Sequence, residues 1–228
     1  MISNVQLAVG LALLLGVIDY LSEGHFMRKR GLFKERLVSF AAGLSVSYIF
    51  LHLFPQVYTV AHDVPRLIFL SMLAGFVAYH ALEKLIYQYA PRDEVINDIE
   101  LEHSLTLFFY HFVIGIVFLS LMQQSRWDGV LFFIPVSLHV IINALPHAHR
   151  FQKMSVKAFF SSAPLLGVMV GWLVPIPTVI YALLFGLVAG ILLFVEAREV
   201  APRRRTESIV WFLIGVVGYG FLIGVSWL

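Results

Sequence analysis

Cysteine is absent from this chain, and charged residues are scarce. Without a thiol, the protein can form no disulfide bond, no thiolate metal site and no cysteine nucleophile. Charged residues make up 13% of the chain and hydrophobic residues 60%, whereas a soluble domain contains about 25% charged residues. The mean hydropathy of +0.86 agrees with this composition. We therefore predict an all-α membrane protein that crosses the lipid bilayer several times and binds no nucleic acid.

Acidic residues are missing from the middle of every long apolar run. Those nearest to the runs lie at their ends: Asp19, Glu23, Glu83, Glu196 and Glu207. We expect Glu196 and Arg198, at the end of the seventh run, to meet lipid headgroups. A divalent cation in a low-dielectric site has a desolvation cost that carboxylates normally offset. The lack of central carboxylates argues against strongly coupled cation transport.

The sequence has eight apolar runs close to the roughly 20 residues that a helix needs to cross a bilayer. They are Val5–Leu21, Leu37–Phe54, Leu67–Tyr87, Leu105–Met122, Val130–Leu145, Ala158–Val174, Thr178–Val195 and Ile209–Leu228. Pro135 and Pro164 interrupt the fifth and the sixth. The first run has no basic stretch before it and no small-residue cleavage site after it, which indicates a retained helix rather than a signal peptide. We predict one transmembrane domain of eight helices over residues 1–228.

Lysine and arginine are distributed unevenly between the loops that join these runs. Fourteen of the sixteen follow the first, third, fifth and seventh runs, and only Arg66 and Arg126 fall elsewhere. Because cytoplasmic loops are rich in basic residues, the odd-numbered loops are predicted to be cytoplasmic. Both termini are then outside, and the cell membrane is the expected location.

Two of the runs share a short pattern. The second reads AAGLSVSYIFLHLFP and the seventh VAGILLFVEAREVAP, and the spacing from Gly43 to Pro55 equals that from Gly190 to Pro202. The loop assignment has these two helices crossing in opposite directions. This pattern indicates an inverted repeat of helices one to three and six to eight, which is common in secondary transporters. The fourth and fifth helices remain as a central pair.

Each helix of the central pair contains one histidine within its apolar run, His111 in the fourth and His139 in the fifth. An ionisable residue inside a membrane is a functional-site hypothesis by default. Asn143 shares a helix face with His139, since it lies four residues further along. Imidazole suits zinc and other first-row metals, so these three residues are the candidate metal ligands. His147 and His149, at the cytoplasmic rim, are candidates for a role in ion passage.

A structural explanation competes with this one. Polar side chains often join transmembrane helices by hydrogen bonds, and His111, His139 and Asn143 could serve only that purpose. The spacing alone favours this structural explanation. His52 lies near the outer end of the second run and is interpreted as an interfacial or packing histidine.

Several segments resemble the ZIP (zinc- and iron-regulated transporter-like) metal permeases. They are AAGLSVSYIFLHLFPQ in the second run, AGFVAYHALEKLIY in the third and LVAGILLFVE in the seventh, and the similarity extends in order over most of the chain. The resemblance implies a ZIP-like 3+2+3 arrangement of helices, a homodimer and an elevator-like motion. It also implies a binuclear metal site, built from His-Asn-x-x-Asp/Glu-Gly in the fourth helix and His-Glu-x-Pro-Glu in the fifth.

This chain keeps only part of the implied site. His111 and His139 stand at the two histidine positions. The other positions carry different residues: Phe112 for the Asn, Gly115 for the acid, Val140 for the first Glu, Asn143 for the second Glu and, in the sixth helix, Ala163 for a further Glu. The resemblance therefore implies a reduced metal site that is poor in carboxylates.

Three functions remain open from the sequence. The first is a transporter of a divalent cation toward the cytoplasm, with zinc or a similar metal as its substrate. The second is a membrane protein of the same fold that no longer transports and acts as a binding, sensing or scaffold module. The third is an intramembrane zinc hydrolase, but no nucleophile and no central acid accompany the histidines. We prefer the first and expect no enzymatic activity.

Overall fold

The structure, a computed structural model, describes residues 3–22, 32–62, 66–89, 96–143, 154–200 and 208–227. These ranges are almost entirely helical and contain no strand. The helices are α1 (Asn4–Ser22), α2 (Leu32–Tyr48), α3 (Phe54–Ala61), α4 (Leu67–Tyr89), α5 (Ile96–Gln124), α6 (Arg126–Asn143), α7 (Met154–Ser161), α8 (Ala163–Leu173), α9 (Thr178–Val200) and α10 (Ile209–Ser226). A π-helical turn, Ile49–Leu53, joins α2 to α3. Most of the long helices are apolar on every side, as helices buried in lipid or protein are.

The apolar runs of the sequence coincide with these helices, either singly or as a consecutive pair. Four stretches are long and apolar enough to cross a membrane: Asn4–Leu21, Glu35–Ala61, Thr178–Arg198 and Ile209–Ser226. The pair α7 and α8, bent by 45°, adds a fifth if the two cross as one. The chain is thus an all-helical membrane protein, and eight as the number of crossings stays a prediction.

The helices pack as two groups. Group A contains α1, α5, α6, α7 and α8, in which α5 lies along α8 and both contact α1. Group B contains α2, α3, α4, α9 and α10, in which α4 lies along α9 and α2 along α10. The groups meet where α2 contacts α6 and α5 contacts α9. Residues at this boundary are therefore the ones whose neighbours would change if one group moved against the other.

Three pairs of glycines set the closest helix crossings. The pairs are Gly43 with Gly215, Gly75 with Gly190 and Gly115 with Gly167. In each pair, a Cβ atom built on either glycine would overlap the backbone carbonyl oxygen of the residue three positions before the other glycine. Small residues let transmembrane backbones approach closely. The crossings of α2 with α10, of α4 with α9 and of α5 with α8 are therefore direct backbone contacts.

Pro135, which interrupts the fifth apolar run of the sequence, lies inside α6, and the helix continues through it. A proline has no N–H to donate, so the carbonyl four residues before it loses its helical partner. That carbonyl belongs to Leu131, and it accepts a hydrogen bond of 2.6 Å from the hydroxyl of Tyr219 on α10. The helix therefore continues because a side chain from group B satisfies the freed carbonyl.

Pro55 accounts for the π-helical turn between α2 and α3. It occupies one of the first positions of α3, and its ring crowds the carbonyl one turn earlier. The wider turn accommodates the ring, and the N–H of Phe54 donates to the carbonyl of Ile49. A π-helical turn changes the face on which the following side chains lie, and such turns occur frequently at functional sites. Here it leaves His52 and Leu53 both buried.

Candidate functional site

His111 and His139 lie close together in a buried cluster at the boundary of the two groups. We call it the inner cluster, after the predicted orientation; its members are Tyr79, Tyr110, His111, His139, Glu196 and Arg198. Each of the two histidines is 8% exposed, and they interact electrostatically with each other. The ring centroid of Tyr110 lies 5.6 Å from that of His111 and 6.2 Å from that of Tyr79. The two histidines of the central pair are thus both buried and near enough to interact electrostatically.

Glu196 and Arg198 belong to this cluster rather than to the membrane surface. Because α9 continues to Val200, Glu196 lies within the helix and is only 6% exposed. It interacts electrostatically with Tyr110, and Arg198 interacts in the same way with His139. The expectation that both residues meet lipid headgroups is therefore wrong, and the site contains one acid and one base that the sequence did not reveal.

The structure describes the remaining predicted ligands only in part. Asn143 ends α6, but its side chain lies outside the described residues, as do His147 and His149. Among the side chains that are described, no group of three or more histidine, aspartate or glutamate residues is arranged to hold a metal ion. The inner cluster therefore offers two buried imidazoles from group A and a buried carboxylate from α9.

The residues at the altered ligand positions have packing roles of their own. Gly115 lies at the crossing of α5 and α8, where a Cβ atom would overlap the carbonyl oxygen of Pro164. Ala163 and Val140 are buried, and the ring of Phe112 stacks at 6.5 Å on that of Phe108. A carboxylate at position 115 has no room, so the acid of the family motif is excluded sterically as well as missing.

A second polar cluster lies at the opposite end of the group boundary. We call it the outer cluster; its members are Tyr48, His52, Gln56, Gln124, Asp128, Tyr181 and Tyr219. Nε2 of His52 lies 3.5 Å from Oδ1 of Asp128, and the rings of Tyr48 and His52 are 5.4 Å apart. Tyr48 interacts electrostatically with Asp128, Tyr181 and Tyr219. Asp128 precedes the predicted fifth span, and partial burial raises the pKa of its carboxyl group.

From the sequence, His52 was interpreted as either an interfacial or a packing residue. The structure distinguishes between these two roles. The side chain is 6% exposed, so it is a buried residue and not an interfacial one. Its pairing with Asp128 was not predicted. One signal was available: Tyr48, His52 and Gln56 follow one another at intervals of four residues, which places them on one face of a helix.

Apolar side chains fill the space between the two clusters. Asp128 and His139 lie on the same helix, and eleven residues at about 1.5 Å each place them roughly 16 Å apart along it. Between them, Phe132 is fully buried, and its ring stacks at 6.5 Å on that of Phe118 from α5. It also contacts the ring of Tyr48 from group B, at 6.2 Å. The two clusters are therefore separated by a buried aromatic layer.

No family model matches this chain, and a comparison with curated proteins finds no match. The resemblance to the ZIP permeases consequently depends on the motif residues given above.

Proposed function

We propose that this chain is a multi-pass permease of ZIP-like architecture that moves a divalent metal cation, with His111 and His139 as the central ligands. The observation that carries the proposal is the position of the two polar clusters, since both lie where group A meets group B. The histidines of the inner cluster come from group A, and Glu196 comes from group B. A relative movement of the groups would change the distance between these ligands, as alternating access requires.

The helix crossings support eight spans with an inverted repeat. In the proposed repeat, the second helix corresponds to the seventh and the third to the eighth. Under this correspondence, the contact of α2 with α10 is equivalent to the contact of α9 with α4. Likewise, the pair Gly43 and Gly215 is equivalent to the pair Gly190 and Gly75, and both pairs have the same overlap pattern. Equivalent crossings are expected if the two halves repeat one structure.

Glu196 supports cation binding because it is a buried carboxylate of the inner cluster, whereas the sequence predicts it at the end of a span. Imidazole nitrogen and carboxylate oxygen are both zinc ligands, at about 2.0–2.2 Å from the metal. The buried carboxylate also offsets part of the cost of desolvating a cation. The side chain of Asn143 and water would complete the coordination shell. The proposed substrate is therefore zinc or a similar first-row divalent ion.

A second candidate function is a membrane protein of the same fold that does not transport and acts as a binding, sensing or scaffold module. Two observations favour it. Arg198 brings a positive charge into electrostatic contact with His139, which weakens binding of a cation. The crossing at Gly115 leaves no room for the acid of the family motif. Under this alternative, the inner cluster is a polar contact that holds groups A and B together.

Uptake of radioactive zinc into proteoliposomes separates the two candidates. We expect uptake by the wild-type protein and its loss in His111→Ala and His139→Ala. His80→Ala is the matched control, because His80 lies on α4 near Phe194 but is exposed. Absence of uptake for zinc, iron and manganese, together with no binding tighter than millimolar, would contradict transport and leave the second candidate.

The proposed topology has both termini outside and the odd-numbered loops in the cytoplasm. Because the chain contains no cysteine, single cysteines can report it without background. We expect a membrane-impermeant maleimide to label Ser3→Cys and Trp227→Cys in intact cells, and Lys84→Cys only after permeabilisation. Labelling of Lys84→Cys in intact cells would contradict the proposed orientation. Cross-linking of the same single-cysteine variants tests the homodimer that the resemblance implies.

A further inference from the structure

The outer cluster contains buried polar atoms that the rest of the described structure leaves without a hydrogen bond. They are the hydroxyls of Tyr48 and Tyr181, Nε2 of His52 and, four residues further along the helix, Oε1 of Gln56. Tyr48 is 1% exposed and His52 6%. Buried polar atoms are nearly always paired, and an unpaired one requires an explanation such as an ion or a water molecule. Two of them, on Tyr48 and His52, belong to rings only 5.4 Å apart and point to a ligand that they share.

The separation of His52 and Asp128 suits a metal ion better than a hydrogen bond. At 3.5 Å, their nitrogen and oxygen atoms are further apart than the usual 2.7–3.2 Å of such a bond. Two ligands bound to a tetrahedral metal at about 2.0–2.2 Å are about 3.4 Å from each other. The observed distance is therefore close to that of two ligands of one ion.

The charge and the donor types of the cluster favour a cation. Asp128 supplies the one carboxylate, while Tyr48, Gln56 and a neutral His52 contribute no charge. The nearest basic residue on the same helix, Arg126, directs its Nε toward Oδ1 of Asn4, at 2.7 Å. Imidazole nitrogen, carboxylate and amide oxygen are all electron-pair donors, and this mixture suits a first-row divalent ion.

We propose that the outer cluster is a second binding site, which holds a divalent cation between Nε2 of His52 and the carboxylate of Asp128. Gln56, four residues after His52, has a buried amide oxygen without a partner and is a candidate third ligand, and water would complete the shell. The two principal ligands come from different groups, His52 from group B and Asp128 from group A. A bound ion at this site therefore ties the outer ends of the two groups together. The site does not require that the protein transports.

Titration of the purified full-length protein with zinc, measured by calorimetry, tests the site. The background is the His111→Ala/His139→Ala double variant, which removes the two imidazoles of the inner cluster. We expect one zinc ion to bind in this background. Adding Asp128→Asn or His52→Gln should weaken binding by at least about 100-fold, the upper range for loss of an outer-shell partner alone. His62→Ala is the control, since it removes an exposed histidine at the same end of the molecule.

Each result decides the question. Equal zinc binding before and after Asp128→Asn would overturn the proposal, as would the absence of binding in the double variant up to millimolar zinc. If Asp128→Asn does not fold, His52→Gln gives an independent answer, since glutamine keeps a polar group at that position. A purely structural pair would lower the melting temperature in both variants without changing the zinc stoichiometry. If the outer cluster binds zinc but the protein takes up none, only the transport proposal is contradicted.

Discussion

The inner and the outer cluster contain similar residues, yet they differ in charge. Both combine histidine with a carboxylate and with tyrosine, and both lie between group A and group B. The inner cluster also contains Arg198, so its formal charges cancel, whereas the outer cluster has the single charge of Asp128. A cation should therefore bind more firmly at the outer cluster and be released more easily at the inner one. Under the proposed function, net charge rather than the number of histidines would separate a site that retains a cation from a site that a cation passes through.

The largest effect is expected from placing the acid of the ZIP motif at position 115. In Gly115→Asp the new side chain overlaps the carbonyl of Pro164 and buries a charge. Overpacking and an unpaired buried charge together should lower the free energy of unfolding by about 4 kcal/mol or more. The yield of monodisperse protein and its melting temperature measure this loss.

Gly218→Ala is the control for that substitution, because a Cβ atom at this position has nothing within 4 Å. We expect its melting temperature to equal that of the wild type, and Gly115→Ala to fall between the control and Gly115→Asp. A stable Gly115→Asp protein that gains a metal ion would show that the crossing yields and that the inner cluster remains convertible to the family's site.

A smaller effect follows from removing the inner positive charge. Arg198→Gln should raise the zinc affinity of the inner cluster about tenfold, because 1.4 kcal/mol of relieved repulsion is a modest amount in a low-dielectric site. Calorimetry in a His52→Gln background isolates this cluster from the outer one. An unchanged affinity would mean that Arg198 is fully neutralised by its neighbours, and the contrast in charge between the clusters would then disappear.

The smallest expected effect concerns the hydrogen bond between the two groups that Tyr219 of the outer cluster donates to the carbonyl of Leu131. Tyr219→Phe leaves the Leu131 carbonyl without its partner and should cost about 1 kcal/mol. Reversible unfolding in mixed micelles measures the change, with Tyr58→Phe, an exposed tyrosine, as the control. Pro135→Ala supplies an N–H to the same carbonyl, so the loss should vanish in the double variant. Additive losses would contradict the explanation given for Pro135.

Much of the fold could be predicted from the sequence, because apolar runs of a given length and the spacing of glycines are local properties. Gly43 and Gly190, on which the predicted repeat depends, both lie at close helix crossings with the same overlap pattern. The pairing of Gly115 with Gly167 could not be predicted, since it depends on which faces of α5 and α8 meet. A glycine that looked like a lost ligand is therefore a packing contact.

The candidate site was predicted only in part, for a related reason. His111 and His139 were identified because each is an isolated polar residue in an apolar run. Glu196 was misplaced because the end of an apolar run is not the end of a helix, and α9 continues beyond it. His52 and Asp128 lie far apart in the chain, and only the packing of group A on group B makes them neighbours.

The crossing of Gly43 with Gly215 also has a consequence for biosynthesis. The two residues lie far apart in the chain, and a ribosome adds about 5–20 residues per second. The face of α2 that carries Gly43 therefore waits about 10 to 30 s in the membrane before α10 emerges. During that time its exposed backbone is open to lipid or to an assisting protein of the insertion machinery. Group B is complete only when α10 arrives, so a chain that stalls before residue 209 leaves α2 without the partner that it packs along.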